Sequence, residues 1–336
     1  MAKIRQFNIL HYSKVSKMLS SIVPDEKISF FSVLKGIPSD LIQHFIPLNF
    51  RKSPESYIAI NEANDVKAFI TIEASIGNVN KWFIKRLFLN ENSFDEGKQL
   101  IDFIVTKYGA LGADTFCVLI DENDDTSAEL FSKMCGFRLC SREVIWKITN
   151  FSLENVEYAN FTKFKNVNAK NISVFFNECI ENHFRFSLEK DSNEFISPLF
   201  NNSIKCFMKT QDNKNICAFA DIRKYNSNDI LIDLIVAKYM EDDYWYILKS
   251  LINYLKLKFD NKNIYLLNRN YMSSAKKAEE FLENNNCEKI QTKILLVKDF
   301  YKPIKSNDKI INPAIIFNEI SGKPAFLSPE PLQKTD

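Results

Sequence analysis

Glycine is what this chain most lacks: seven residues in 336, and none at all between positions 151 and 300. A backbone that must approach a phosphate group closely uses glycine because it has no Cβ, so the second half is not expected to hold a glycine-rich phosphate loop. Histidine is almost as scarce. His11, His44 and His183 stand far apart, and nothing selects a catalytic His–Cys pair. The seven cysteines are odd in number and contain no C-x-x-C pair, which speaks against both a disulfide framework and a metal cluster. They read as reduced, buried thiols of a cytoplasmic protein. No apolar run approaches membrane-spanning length, and the first residues lack the apolar core of a signal peptide, so no membrane partner is expected. The net charge is only +2 and the positive residues are scattered, which gives no reason to expect nucleic acid.

What is present is apolar and aromatic: 46% hydrophobic residues, with 29 phenylalanines. A length of 336 residues is enough for two domains, each with its own core. In the first half Val66, Ala68, Ile70, Ile72 and Ala74 alternate as in a strand, and Lys81 to Asn90 reads as a second one. Leu100, Ile101, Ile104, Val105 and Tyr108 share one helical face, and Gly109 and Gly112 end that helix. Thr115 to Ile120 is a short apolar strand, Ala128, Leu130, Phe131, Met134 and Cys135 make the inner face of another helix, and Val144 to Ile148 is a closing strand. Upstream, residues 11 to 47 read as helices interrupted by Pro24 and Pro38.

The second half repeats this order. Ala218 against Ala68 and Phe281 against Phe131 both give an offset of 150 residues. The strands Ile216 to Arg223, Ile230 to Val236, Asn263 to Leu267 and Ile290 to Val297 answer those of the first half. The helices carrying Leu248 and Phe281 answer the other two. A constant offset through several elements points to an internal duplication. The expected organisation is therefore a domain at 1–150, a second at 151–300 with its boundary near Asn150 to Glu154, and a proline-bearing extended tail at 301–336.

Strand, loop, helix, strand, and then a helix ending in Gly136-Phe137 is an order that resembles the GNAT superfamily of acyl-CoA-dependent N-acyltransferases, here as a tandem pair. The resemblance covers most of both halves and is strongest over residues 66 to 148. It implies an α/β (α+β) fold with two mixed, mostly antiparallel sheets flanked by helices. It also implies acetyl-CoA or another acyl-CoA as donor and a small-molecule or peptide amine as acceptor. Family members hold the CoA pyrophosphate on a loop of the form Gln/Arg-x-x-Gly-x-Gly/Ala, whose amides and following helix N-terminus make an anion site. The matching positions here are Asn92, Asp95 and Gly97, with Lys98 following, and Asp95 and Glu96 place carboxylates where a phosphate would sit. The second half has Glu241, Tyr244 and Tyr246 there, so no pyrophosphate site is expected in it. Many members carry a tyrosine four residues before the helix-ending glycine as general acid; that position is Ser132 here and Leu282 in the second copy.

The resemblance implies a backbone N–H near Phe88, Leu89 or Asn90 as the group polarising the thioester carbonyl. Glu73, on the preceding strand, is the candidate general base, with a solvated strand-face carboxylate as the alternative. Gly97 is either a phosphate-loop glycine or an ordinary residue of a first helical turn. Asp121, Asn123, Asp124 and Asp125 have calcium-loop character, but Thr126 and Ser132 stand where glycine and the bidentate glutamate belong. The stretch is read as a solvated turn, with Thr126 as N-cap and Glu129 completing a capping box, and Asn123 is placed near the cofactor. Asp233 interrupts an apolar run and needs a partner if buried; it is either a functional group of the second copy or a paired structural one, and the paired reading is favoured. Three functions follow: an N-acyltransferase, a Fem-like aminoacyl-tRNA-dependent transferase, and a binding protein on a degenerate scaffold.

Overall fold

The computed structural model describes residues 2–22, 54–75, 78–148, 161–196, 203–210, 215–225, 229–256 and 263–300. The helical reading beyond residue 22, the boundary near 150–154 and the tail at 301–336 lie outside these residues. Within them the apolar periodicities become the elements expected. The first half carries β1 (Lys3–Gln6), α1 (Tyr12–Ile22), β2 (Glu55–Ile60), β3 (Val66–Ser75), β4 (Asn78–Leu89), α2 (Phe94–Ala110), β5 (Thr115–Asp121), α3 (Asp125–Glu129, continued by a π turn Leu130–Met134) and β6 (Arg138–Lys147). The second carries β7 (Thr162–Lys163), α4 (Ala169–Cys179), β8 (Ile204–Lys209), β9 (Ile216–Lys224), β10 (Asp229–Val236), α5 (Tyr244–Lys256), β11 (Asn263–Arg269), α6 (Ala275–Asn284) and β12 (Glu288–Asp299).

The pairing repeats as the sequence does. β2, β3 and β4 run antiparallel and β4 pairs parallel with β5; β8, β9 and β10 run antiparallel and β10 pairs parallel with β11. One sheet of twelve strands results, in the order β1-β2-β3-β4-β5-β12-β6-β11-β10-β9-β8-β7. Its centre holds a feature that the order of elements in the sequence does not reveal. The closing strand of the second half, β12, lies against β5 of the first, while β6, the closing strand of the first half, lies against β11 of the second. β12 and β6 then pair antiparallel with each other, so the exchanged strands join both halves through continuous ladders. Met1–Asp299 forms one compact unit.

Alternation of side chains across the strands supplies two apolar faces. In the second half, Ala218, Ala220, Ile232 and Leu234 pack under α5 and α6, while Phe219, Phe207 and Ile235 pack under α4. In the first half, Phe69, Ile58 and Ile60 pack with Val15, Met18 and Leu19 of α1. All seven cysteines are free and buried, and burial pushes the Cys117 and Cys179 thiols up to about 12. One local expectation is corrected. α3 is capped by Asp124, whose carboxylate accepts from the Ser127 N–H at 3.0 Å, and Thr126 lies inside the helix. The turn after β5 closes between Asp121 and Asp124, Asp124 N–H to Asp121 carbonyl at 3.1 Å, so the cap falls two residues earlier than the S/T-x-x-E pattern suggests.

Candidate functional site

The parallel ladder between β4 and β5 is short, running only from Lys81–Thr115 to Ile84–Val118. Beyond it the strands part. β4 stays with β3 through a register irregularity at Thr71/Ile72, which leaves Lys85 unmatched, and continues to Leu89. β5 follows β12 to Asp121. A bulge on one strand of a pair bends it away from its other neighbour, and it accounts here for the divergence. The wedge between them is a cleft of about 280 Å³, lined by Lys85 to Phe88 from β4, Val118 to Ile120 from β5, and Asp124, Ser127 and Phe131 from α3 and its approach.

The direction of the β4 amides follows from the ladder. Asn90 donates its N–H to the Lys67 carbonyl at 2.9 Å, and Phe88 is matched with Phe69. In an antiparallel pair successive N–H groups point to opposite edges, so Phe88 and Asn90 point at β3, and Leu87 and Leu89 point away from it, towards the cleft. Of the three amides considered from the sequence, Leu89 is the one turned to the cleft, and Leu87 joins it.

The loop between β4 and α2 is tight. The Ser93 N–H reaches the Asn90 carbonyl at 3.1 Å, and Asn92 adopts a left-handed φ of 56°. Ser93 makes no side-chain cap, so the first-turn amides of α2 are left to the solvent side of the loop, beside the carboxylates of Asp95 and Glu96. Gly97 is buried at the contact between α2 and β4: a Cβ there would come within 2.7 Å of the Leu89 side chain. Its smallness lets helix and strand approach. Lys98 turns along its own helix to Asp102 at 2.5 Å, and that hydrogen bond raises its pKa.

Glu73 sits on β3 beside the cleft wall, its carboxylate 3.5 Å from the Lys85 ammonium. Ser132 is exposed in the π turn and donates its hydroxyl hydrogen back to the Ala128 carbonyl. Asn123 is exposed, and its N–H is held by Asp121 at 3.0 Å. The structure thus places Phe88 in the cleft lining, Leu89 next to it on β4, and Glu73 beside the lining residue Lys85. Asn90, Asn92, Asp95 and Gly97 belong to the loop and first turn at the end of β4, and Ser132 and Asn123 are not among the residues lining the cleft. Lys85, Arg86, Leu87 and Ser127 were missed from sequence; counting amides back by two from Leu89 would have found Leu87.

The corresponding split in the second half is filled. The β10–β11 ladder ends at Asp233–Leu267, and there the Arg269 guanidinium binds both oxygens of Asp233 through Nη1 while Nε donates to Glu143 at 3.1 Å. Arg223 adds a contact to Asp233 at 3.5 Å. Burial by itself would raise the Asp233 carboxyl, but Arg269 and then Arg223 hold it below the ordinary value. The paired reading of Asp233 is the one observed.

No family model matches the sequence, and no curated protein matches it significantly. Solved structures do resemble the fold. A GCN5-related N-acetyltransferase from Sphaerobacter thermophilus superposes with a TM-score of 0.54 over 89% of this chain and 95% of its own, at 9% identity. A tandem GNAT protein from the clavulanic acid biosynthesis pathway gives a TM-score of 0.52 over 89% of this chain and 98% of its own, at 7% identity. At such identities the likeness is one of fold: this chain has the tandem GNAT fold, a mixed sheet flanked by helices. Among the described residues no helix is long and apolar enough to cross a membrane.

Proposed function

We propose that the chain is an acyl-CoA-dependent N-acyltransferase whose chemistry takes place in the cleft between β4 and β5. The observation that carries this reading is the parting of a parallel strand pair that leaves the Leu87 amide facing a cleft of mixed apolar and polar lining, with the Leu89 amide turned the same way just beyond it. Acyl-CoA, when bound, supplies an activated thioester carbonyl. The Leu87 and Leu89 amides fit its extended pantetheine arm and acyl oxygen as strand-like donors. Leu119 and Phe131 give the acyl chain an apolar wall. The first-turn amides of α2, which no side chain caps, are the donors offered to phosphate oxygens, with the Lys85 ammonium on β4 beside the cleft.

The amine acceptor attacks the thioester directly. Glu73, held by Lys85 at the cleft edge, is the carboxylate placed to take the proton that the amine sheds. Ser127 is the one hydroxyl among the residues lining the cleft and the candidate donor to the departing thiolate, in place of Ser132, whose hydrogen is spent on Ala128. The second half, its split closed by the Asp233–Arg269–Glu143 group, serves as scaffold and supplies β12 to the wall behind β5. Titration calorimetry with acetyl-CoA tests the reading. Heat of binding at micromolar strength is expected for the wild type and a loss of at least about tenfold for Ser127→Trp, which fills the cleft from a half-buried position on α3 (about 1.4 kcal/mol or more). Absence of heat for the wild type at high protein concentration would sink it.

A further inference from the structure

A second cluster of titratable groups lies outside this cleft. Residues 185–195 cross the sheet face opposite α5 and α6 and are stapled at four points. Arg138 donates to Ser187 at 2.7 Å, and Lys81 to the Glu189 carbonyl, Ser75 to Glu194 and Lys205 to the Phe195 carbonyl, each at 2.8 Å. Lys190 sits in the middle of this segment. Its backbone is clamped to α4: its N–H donates to Asn177 at 2.9 Å, and its carbonyl accepts from Ser173 at 2.8 Å and Asn177 at 3.1 Å. Its side-chain nitrogen lies 4.5 Å from the ring centre of Phe176 and 5.8 Å from that of Phe195.

The contrast with its neighbours is chemical. Lys81 and Lys205, both buried, hand their protons to main-chain carbonyls. Among the described residues the Lys190 nitrogen makes no hydrogen bond and no ion pair, and it lies over two aromatic rings. The charged groups around it come from every neighbouring strand: Arg269 on β11 and Arg223 on β9 oppose its charge, and Asp233 on β10 and Glu194 on its own segment favour it. Asp233 is already committed to Arg269, and Glu194 to Ser75 and its own turn. Burial first, and then Arg269, brings the Lys190 ammonium down to about 8. Taken as a whole residue, Lys190 is half-buried.

We propose that Lys190 is a covalent modification site, a nucleophilic amine that captures small acyl thioesters as an N-acyl-lysine. The nitrogen bonds to the carbonyl carbon, the carbon–sulfur bond breaks, and the thiolate leaves with the proton that the amine loses. No oxidant or further reactant is required. The step uses none of the cleft residues and stands whether or not the cleft takes acyl-CoA.

The test treats the full-length protein with N-acetyl-S-acetylcysteamine, a neutral two-carbon thioester, and reads acetylation by peptide mass spectrometry. At pH 7 a lysine titrating near 8 is neutral roughly 200-fold more often than one at the ordinary 10.4. Acetylation of Lys190 is therefore expected to run tens-fold or more ahead of exposed Lys276, about 30-fold being the least that its partial shielding should leave. The lead should shrink as pH rises above 9 and vanish in denaturant. Lys190→Arg, which keeps the charge, should remove the fast phase, and Ser127→Trp should leave it unchanged. Acetylation of Lys190 no faster than of Lys276, in protein whose circular dichroism shows it folded, would overturn the proposal.

Discussion

Ending the chain after Cys287, which removes β12, is expected to abolish the folded protein and not just its second half. β12 carries Leu295, Leu296 and Val297 into the core, all of them buried. At about 2 kcal/mol each, their burial amounts to roughly 6 kcal/mol, comparable with the 5–15 kcal/mol that holds a typical domain together. The ladders lost are those to β5 and to β6, and two interior strands become bare edges open to pairing with other chains. Arg138 also loses Asp299, its partner at the end of β12. The expected result is insoluble or uncooperative material with no thermal transition. A truncated chain that melts cooperatively with the first half intact would show that the halves do not depend on the exchanged strands.

Replacing Asp233 with leucine is expected to cost about 3–5 kcal/mol, because it leaves the buried Arg269 guanidinium with Glu143 alone. The same loss is not expected of the double replacement Asp233→Leu with Arg269→Met. Removing both charges also removes their desolvation cost, and the pair of changes should lie within about 1–2 kcal/mol of wild type. Urea unfolding of the two single variants and the double variant gives the coupling directly. The sign of the pH dependence follows from the lowered carboxyl of Asp233. Its contribution is fully present above the unfolded value near 4 and is lost as pH falls through the lower folded value. Acid destabilisation below about pH 4 should therefore be shallower in the double variant than in wild type. Equal losses in the single and double variants would mean that the ion pair does not govern this site.

These two results bear on what could be read in the sequence. Elements whose signal is local were legible. The alternation from Val66 to Ala74, the helical stripe from Leu100 to Tyr108 and the 150-residue offset each report contacts within one element or one half. The tandem fold followed from them, and the likeness to a solved tandem GNAT protein agrees with it. Pairing between strands far apart in the chain leaves no such mark. Ile290 to Val297 reads as a strand in any partner's company, and nothing in those residues says that β5 lies beside them.

The candidate site was legible in its neighbourhood and less so in its atoms. The sequence pointed to the stretch Phe88 to Asn90 without choosing among its amides, because which of them turns away from β3 depends on hydrogen-bond parity along β4, which only the pairing with β3 sets. Gly97 illustrates the same gap. Glycine in a first helical turn signals close approach, and the thing approached is the Leu89 side chain. Ser132 was chosen by its distance from Gly136, whereas the π turn and the hydrogen bond to Ala128 decide where its hydroxyl goes.

The central claim is that the first-half cleft receives an acyl-CoA along the Leu87 and Leu89 amides. Backbone amide NMR of the labelled protein during titration with acetyl-CoA tests it most directly. The largest shifts are predicted at Leu87 and Leu89 and at the first turn of α2, Phe94 to Glu96, with β10 and β11 unmoved. Shifts concentrated around Asp233 and Arg269, or none anywhere at saturating ligand, would contradict it.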